Sequence, residues 1–153
     1  MHVFRGLPSP LQRRPSAVAI GNFDGVHLGH QALLEYVKEA AQARGLVPSV
    51  VTFEPHPKDF FGRGGEVARI STLYDKVNAI LETGIERIYI LPFNARLAGM
   101  PAEPFVRDVL LEGLGACWIS VVRDFRFGGD RAGNVDLLEQ LSRTLPYELY
   151  VSP

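Results

Sequence analysis

Apolar and polar positions follow two alternating periods along this chain. Short, nearly continuous apolar runs recur at 17–22, 46–53, 87–92, 117–122 and 147–151, the pattern of strands buried on both faces. Between them, apolar residues fall three and four apart. Leu33, Leu34, Val37 and Ala41 do so in a predicted helix over 31–44, and Leu73, Val77, Ile80 and Leu81 in one over 72–83 with Ser71 as its cap. Pro104 opens a third helix carrying Phe105, Val109 and Leu110, and Asn134 or Asp136 begins a fourth. Gly45, Gly84, Gly113 and Gly115 stand where those segments stop. The order β-α-β-α-β-α-β-α-β predicts an α/β fold: a doubly wound, mostly parallel five-stranded sheet with helices on both faces. Residues 1–16, rich in proline and arginine, read as a surface segment with a short edge strand at 2–4.

Ligands of such sheets sit beyond the carboxyl ends of the strands, where the strand order switches. Three unusual loops follow predicted strands on that rim. They are Gly21 to His30, Glu54-Pro55-His56-Pro57, and Asp124-Phe125-Arg126-Phe127-Gly128-Gly129. The prolines of the second forbid helix and make it a rigid loop.

Composition narrows the chemistry. The 153 residues suffice for one domain with a sizeable core. Hydrophobic residues are 46% and charged residues 22%, so nothing argues for disorder. A formal net charge of −1 excludes a global basic field for nucleic acid or an anionic membrane, so any phosphate recognition must be local. The single cysteine, Cys117, excludes a disulfide framework and a cysteine-based zinc site. No window approaches the length of a membrane span. The expectation is a cytoplasmic protein without nucleic-acid or membrane partners.

The loop from Gly21 carries the most specific chemistry. Glycines at 21, 25 and 29 let the backbone turn tightly and approach a ligand. His27 and His30 stand at the mouth of the following helix, where free amide N–H groups and the positive end of the helix dipole favour a polyanion. The spacing is not that of dinucleotide dehydrogenases, and no Gly-Lys-Ser/Thr is present, so a P-loop is excluded. What remains is His-x-Gly-His, with imidazoles in place of a lysine as phosphate donors. A metal site shared with His56 is the rival use of these rings. Asp24 and Asn22 suit a ligand contact or a turn equally well.

His27-Leu28-Gly29-His30 resembles the His-x-Gly-His signature of the nucleotidyltransferase superfamily. Gly21 to His30, Thr52-Phe53-Glu54-Pro55-His56-Pro57 and Asp124-Phe125-Arg126-Phe127-Gly128 together resemble the FMN adenylyltransferase module of bacterial bifunctional riboflavin kinase/FAD synthetase. The likeness runs from about Val18 to Leu141, through Thr72-Leu73-Tyr74-Asp75-Lys76. Three motifs in register make it strong.

The resemblance implies a Rossmann-like nucleotidyltransferase fold and a reaction, FMN plus ATP giving FAD and pyrophosphate, with Mg²⁺. Its metal ligands stay unassigned. His27 and His30 take the catalytic place, binding phosphate oxygens. Gly21, Asn22, Phe23, Asp24, Gly25 and Gly29 complete the ATP loop with those histidines, joined by Asp124 and Arg126. Arg126 suits either phosphate or a pair with Asp130. The flavin falls to Pro55, Pro57, Phe61, Phe105 and Phe127, with Asp124 at its phosphate; an aromatic and proline surface suits a flat, apolar ring system. Phe61 serves equally as packing against the sheet.

Two departures from the family pattern stand out. Val122 replaces a common glycine. The family also continues into a Ser-Ser-Thr-x-Ile-Arg motif that contacts ATP and then into a riboflavin kinase barrel, whereas this chain ends at Pro153. The expectation is a single adenylyltransferase domain over 1–153, lacking its C-terminal segment and the kinase domain to which it is normally fused. Two rivals stand beside it. One is an adenylyltransferase for another phosphate-bearing acceptor, such as pantetheine phosphate or nicotinamide mononucleotide, against which the second and third loops argue. The other is a catalytically incomplete module that binds flavin or nucleotide.

Overall fold

The computed structural model describes residues 2–23, 28–54, 66–128 and 133–152. Six parallel strands form one sheet: β1 (His2–Arg5), β2 (Ser16–Ile20), β3 (Val47–Glu54), β4 (Arg87–Pro92), β5 (Ala116–Val122) and β6 (Glu148–Ser152). Their order across the sheet is β1-β4-β3-β2-β5-β6. The chain winds outward from β2 to one edge, then returns to β2's other side, which puts the topological switch between β2 and β5.

The sheet has six strands where the apolar runs predict five. The sixth is β1, the short edge strand expected at 2–4, which pairs with β4 in the register His2↔Arg87 to Arg5↔Ile90. An edge strand needs no continuous apolar run, and three of its four residues are exposed. Phe4 fastens it, stacking on Tyr89 with ring centroids 5.0 Å apart and the Arg87 guanidinium 5.2 Å above its ring.

Side-chain alternation divides the interior into two cores, one on each face. Ala17, Ala19, Val50, Ile88, Ile90 and Trp118 pack against α1 (Leu28–Arg44) and α2 (Glu66–Glu82). Val18, Ile20, Val51, Tyr89, Ile119 and Val121 face the other way, toward the helices that follow β4 and β5. The stripe Leu33, Leu34, Val37, Ala41 is buried as its spacing predicts. Burying the first three alone favours docking of α1 by several kcal/mol, at about 1.5–3 kcal/mol per side chain. Gly45 ends α1 with φ +68°.

Three local features depart from the sequence pattern. Helix α2 begins at Glu66, so Ser71 lies within it and is not its cap. After β4 come two short helices, α3 (Ala95–Ala98), capped by the Asn94 side chain on Leu97 N at 3.0 Å, and α4 (Ala102–Pro104). The segment from Phe105 to Gly113 then continues as a π-helix. Its wider turn closes with Leu114 N donating to Val109 O at 3.0 Å, and it puts Phe105 and Leu110, five apart, on the buried face. Helix α5 (Val135–Ser142) is started by Asn134, whose Oδ1 accepts from Leu137 N at 3.0 Å; Asp136 sits in its first turn.

Candidate functional site

The exit of β2 is built from three residues with different duties. Gly21 extends the pairing with β3, its N–H donating to Val51 O at 3.1 Å. Asn22 turns its carbonyl inward, accepting from Thr52 Oγ1 at 3.1 Å and from Lys76 Nζ at 2.8 Å. Phe23 takes a left-handed backbone, φ +53°, and drives its ring into the α1 side of the interior. Helix α1 opens at Leu28, so Gly29 and His30 belong to its first turn. The His30 ring is half-buried, 5.0 Å from that of Phe23 and tilted by 51°.

Beyond the carboxyl ends of β2, β3 and β4 lies a narrow cleft. Asn22, Phe53, Phe93, Leu97, Phe105, Phe125, Arg126, Phe127 and Gly128 line it. Five phenylalanines form one connected wall: Phe53 meets Phe93 edge-on at 6.1 Å and Phe105 at 6.5 Å, Phe105 meets Phe127 at 5.8 Å, and Phe127 stacks on Phe125 at 5.7 Å. A largely apolar wall with an amide and a guanidinium at its margin suits a flat ligand with one polar end. A second, more polar cleft adjoins it, lined by Arg123, Asp124, Arg126, Asn134, Val135 and Asp136. Arg126 is common to both.

Both clefts flank the switch between β2 and β5, where the third loop leaves the sheet. Phe127 and Gly133 exchange two backbone hydrogen bonds, of 3.1 and 2.8 Å, closing that loop on itself. These bonds and the stacked Phe125 fix the aromatic side of the cleft.

Residues 9–153 match the sequence profile of the family described as FAD synthetase. The chain belongs to the FAD synthetase family. It is 41% identical over 140 residues to the bifunctional riboflavin kinase/FMN adenylyltransferase of Pseudomonas fluorescens, covering 91% of this chain and 45% of that one. It is 34% identical over 152 residues to the protein of the same description from Escherichia coli K12, covering 97% and 48%. The chain thus spans about half the length of the curated relatives it matches. Among solved structures, one described as a macrolide-efflux protein from Streptococcus pneumoniae superposes with a TM-score of 0.76 at 23% identity, over 99% of this chain and 57% of that one. That likeness bears on the fold alone.

In this FAD synthetase domain the expected site residues distribute as follows. Asn22, Phe105, Phe127 and Arg126 meet at the aromatic cleft, and Asp124 lies in the polar one. Gly21 and His30 flank the buried Phe23, whose ring belongs to the interior; only its backbone remains for a ligand. Asp24, Gly25, His27, Pro55, Pro57 and Phe61 lie outside the described residues. So do His56, and with it the shared metal site, and Asp130, the acidic partner considered for Arg126.

Sequence reasoning missed four contributors. Phe93 and Leu97 follow β4 on the same rim as the other loops, and the rule that ligands lie at that rim would have found them. Phe125 sits inside a motif whose other members drew attention first. Lys76 had a readable signal, three residues after Leu73 and four before Ile80, on the apolar stripe of α2. It is buried there, 5% exposed.

No group of three His, Cys, Asp or Glu side chains able to hold a metal comes together among the described residues. No described helix is long and apolar enough to cross a membrane.

Proposed function

We propose that this chain transfers the adenylyl group of ATP to FMN, giving FAD and pyrophosphate. In the relatives the same stretch occupies under half of a chain named for two activities, and we assign it the adenylyltransferase one. The observation that carries this reading is the phenylalanine-walled cleft at the strand switch, with Arg126 bridging it to the polar cleft. The aromatic chemistry of the wall suits an isoalloxazine ring, with the FMN phosphate directed to the margin where Asn22 and Arg126 stand.

The FMN phosphate has a second pKa of about 6 and is mostly ionised at neutral pH. Its oxygen attacks the α-phosphorus of ATP, the bond from that phosphorus to the β-phosphate oxygen breaks, and pyrophosphate departs. An ionised nucleophile needs little from a general base. The barrier is the approach of one anion to another, so positioning and charge stabilisation carry the catalysis. His27 and His30 take the donor role at the phosphates, beside the N-terminal amides of α1. Arg126 holds a phosphate between the clefts, and Asp124 orients the nucleotide. Mg²⁺ bound with the ATP phosphates would neutralise charge on the departing pyrophosphate. A lone cysteine, half-buried on β5, fits a reducing compartment, and we place the reaction in the cytoplasm.

The test is incubation with Mg-ATP and FMN, following FAD by chromatography and pyrophosphate by a coupled assay, with pantetheine phosphate and nicotinamide mononucleotide as rival acceptors. FAD and pyrophosphate in equal amounts are expected. Turnover of a rival acceptor with no FAD would overturn the proposal. Binding of both substrates without pyrophosphate would instead mark a module that only binds. His30→Ala should lower kcat/KM by about 2–4 kcal/mol in barrier, the range for one donor to a developing oxyanion.

A further inference from the structure

Among the described residues Phe23 is the one non-glycine residue with positive φ, +53°. A left-handed backbone is strained for a bulky side chain and persists only where its surroundings hold it. The peptide plane that sets this angle is Asn22–Phe23, and its carbonyl is held by an unusual pair. Lys76 Nζ donates to it at 2.8 Å, Thr52 Oγ1 donates at 3.1 Å, and Lys76 Nζ also donates to Thr52 Oγ1 at 3.1 Å. An ammonium is costly to bury unless hydrogen bonds compensate it, and Lys76 is 5% exposed. A helix that needed only packing here would carry leucine.

The strained turn has a specific result. It seats the Phe23 ring between the backbone of Gly21, where an added β-carbon would lie 3.2 Å from Phe23 Cε2, and the imidazole of His30 at 5.0 Å. We infer that Lys76 is a positioning residue: its grip on the Asn22 carbonyl holds Phe23 in the left-handed turn, and the Phe23 ring sets the orientation of His30. Lys76 acts on the reaction through His30. The clamp joins the exit of β2 to β3 and α2, so the histidine's orientation depends on a helix packed on the far side of the turn. This inference rests on the reading that His30 binds the phosphates of ATP.

The experiment compares Lys76→Met, Lys76→Gln and Thr52→Val in the intact protein by melting temperature, kcat, both KM values and the His30 imidazole proton resonance without substrates. Lys76→Met should lower kcat by roughly thirty- to a hundredfold, the cost of a small misplacement at a phosphoryl-transfer site, with each KM within about threefold. Its His30 resonance should move as the Phe23 ring current leaves. Lys76→Gln, which keeps a donor, should recover part of kcat. Thr52→Val keeps the ammonium–carbonyl contact and should lose the least. A Lys76→Met protein that folds with its His30 resonance and kcat unchanged overturns the inference, as does equal loss in Met and Gln variants. If Lys76→Met does not fold, the His30 resonance in Lys76→Gln decides, and an unmoved signal overturns it. Absence of FAD formation by the unaltered protein would sink the reaction assignment instead, and the resonance comparison would still judge the clamp.

Discussion

A β-carbon placed on Gly128 would stand 3.0 Å from both the backbone nitrogen and the α-carbon of Ala102. The loop after β5 therefore rests directly on the turn that leads into the π-helix. This contact fixes the distance between Phe127 and Phe105, two buried rings of the cleft. Gly128 also has φ +80°, a conformation that L side chains rarely adopt. Gly128→Ala meets both obstacles, and neither backbone can retreat as a flexible side chain would. The expected loss is about 2–3 kcal/mol of stability, combining a left-handed alanine with overpacking. Chemical denaturation measures it, and a loss below about 0.5 kcal/mol would show that the two loops do not touch as described.

The cleft's rings differ in how cleanly they report on ligand binding. Phe105 and Phe127 are almost wholly buried, so truncating either mixes lost packing with lost contact. Phe93 and Phe125 are half-buried at the same cleft. Phe93→Leu and Phe125→Leu should each raise KM for FMN by roughly three- to tenfold, the worth of one aromatic contact at about 0.5–1.5 kcal/mol. KM for ATP should stay within about twofold, because uniform binding to one substrate is what is removed. Equal increases for both substrates would place the flavin elsewhere.

The sequence exposed those features whose physics is periodic. Leu33, Leu34, Val37 and Ala41 announce the buried face of α1 through spacing alone, and the apolar runs announce five strands, of which all but the edge strand β6 are largely buried. β1 was legible as an edge strand but its partner was not, because an edge strand has little to bury and its pairing with β4 depends on Phe4 meeting Tyr89, a tertiary event. The π-turn at 105–113 left no signature, since the same apolar residues suit an α-helix until Leu110 must face inward five positions after Phe105. At the site, Asn22, Phe105, Arg126 and Phe127 were legible as motif members and meet in one cleft. Lys76 is legible as a motif member but not as chemistry, because a lysine on an apolar stripe acquires meaning only when the carbonyl it holds is known.

Tyr147 provides a handle on stability that is independent of the cleft. Its hydroxyl donates to Leu138 O at 2.6 Å, tying the strand-entry turn to α5, and burial pushes its pKa up to about 12 from 10.0. The folded state thus holds the proton that the unfolded state releases above pH 10. This contribution is complete below pH 10 and is lost as pH rises toward about 12. Two pKa units correspond to roughly 3 kcal/mol. Tyr147→Phe should cost about 1 kcal/mol at pH 7 for the hydrogen bond. It should also remove most of the decline in stability between pH 10 and 12, measured by denaturant titration at each pH. Parallel pH curves for the two proteins would show that Tyr147 does not titrate in this window.

Arg126 is exposed, yet it is the side chain shared by the aromatic and polar clefts. A guanidinium there can hold two oxygens of one phosphate in a fixed plane, which an ammonium cannot. If it grips phosphate, Arg126→Ala should raise KM for the substrate whose phosphate it binds by roughly ten- to a hundredfold, the value of about 1.5–3 kcal/mol for a charged hydrogen bond. Arg126→Lys should recover less than half of that loss in free energy, because charge returns without the two-pronged geometry. Melting temperature should not change, since an exposed side chain supports little of the fold. Steady-state kinetics with ATP and FMN varied in turn identify which phosphate is held. Unaltered KM values in Arg126→Ala would mean that the guanidinium faces solvent, and the phosphate contact would then have to come from the His27–His30 loop alone.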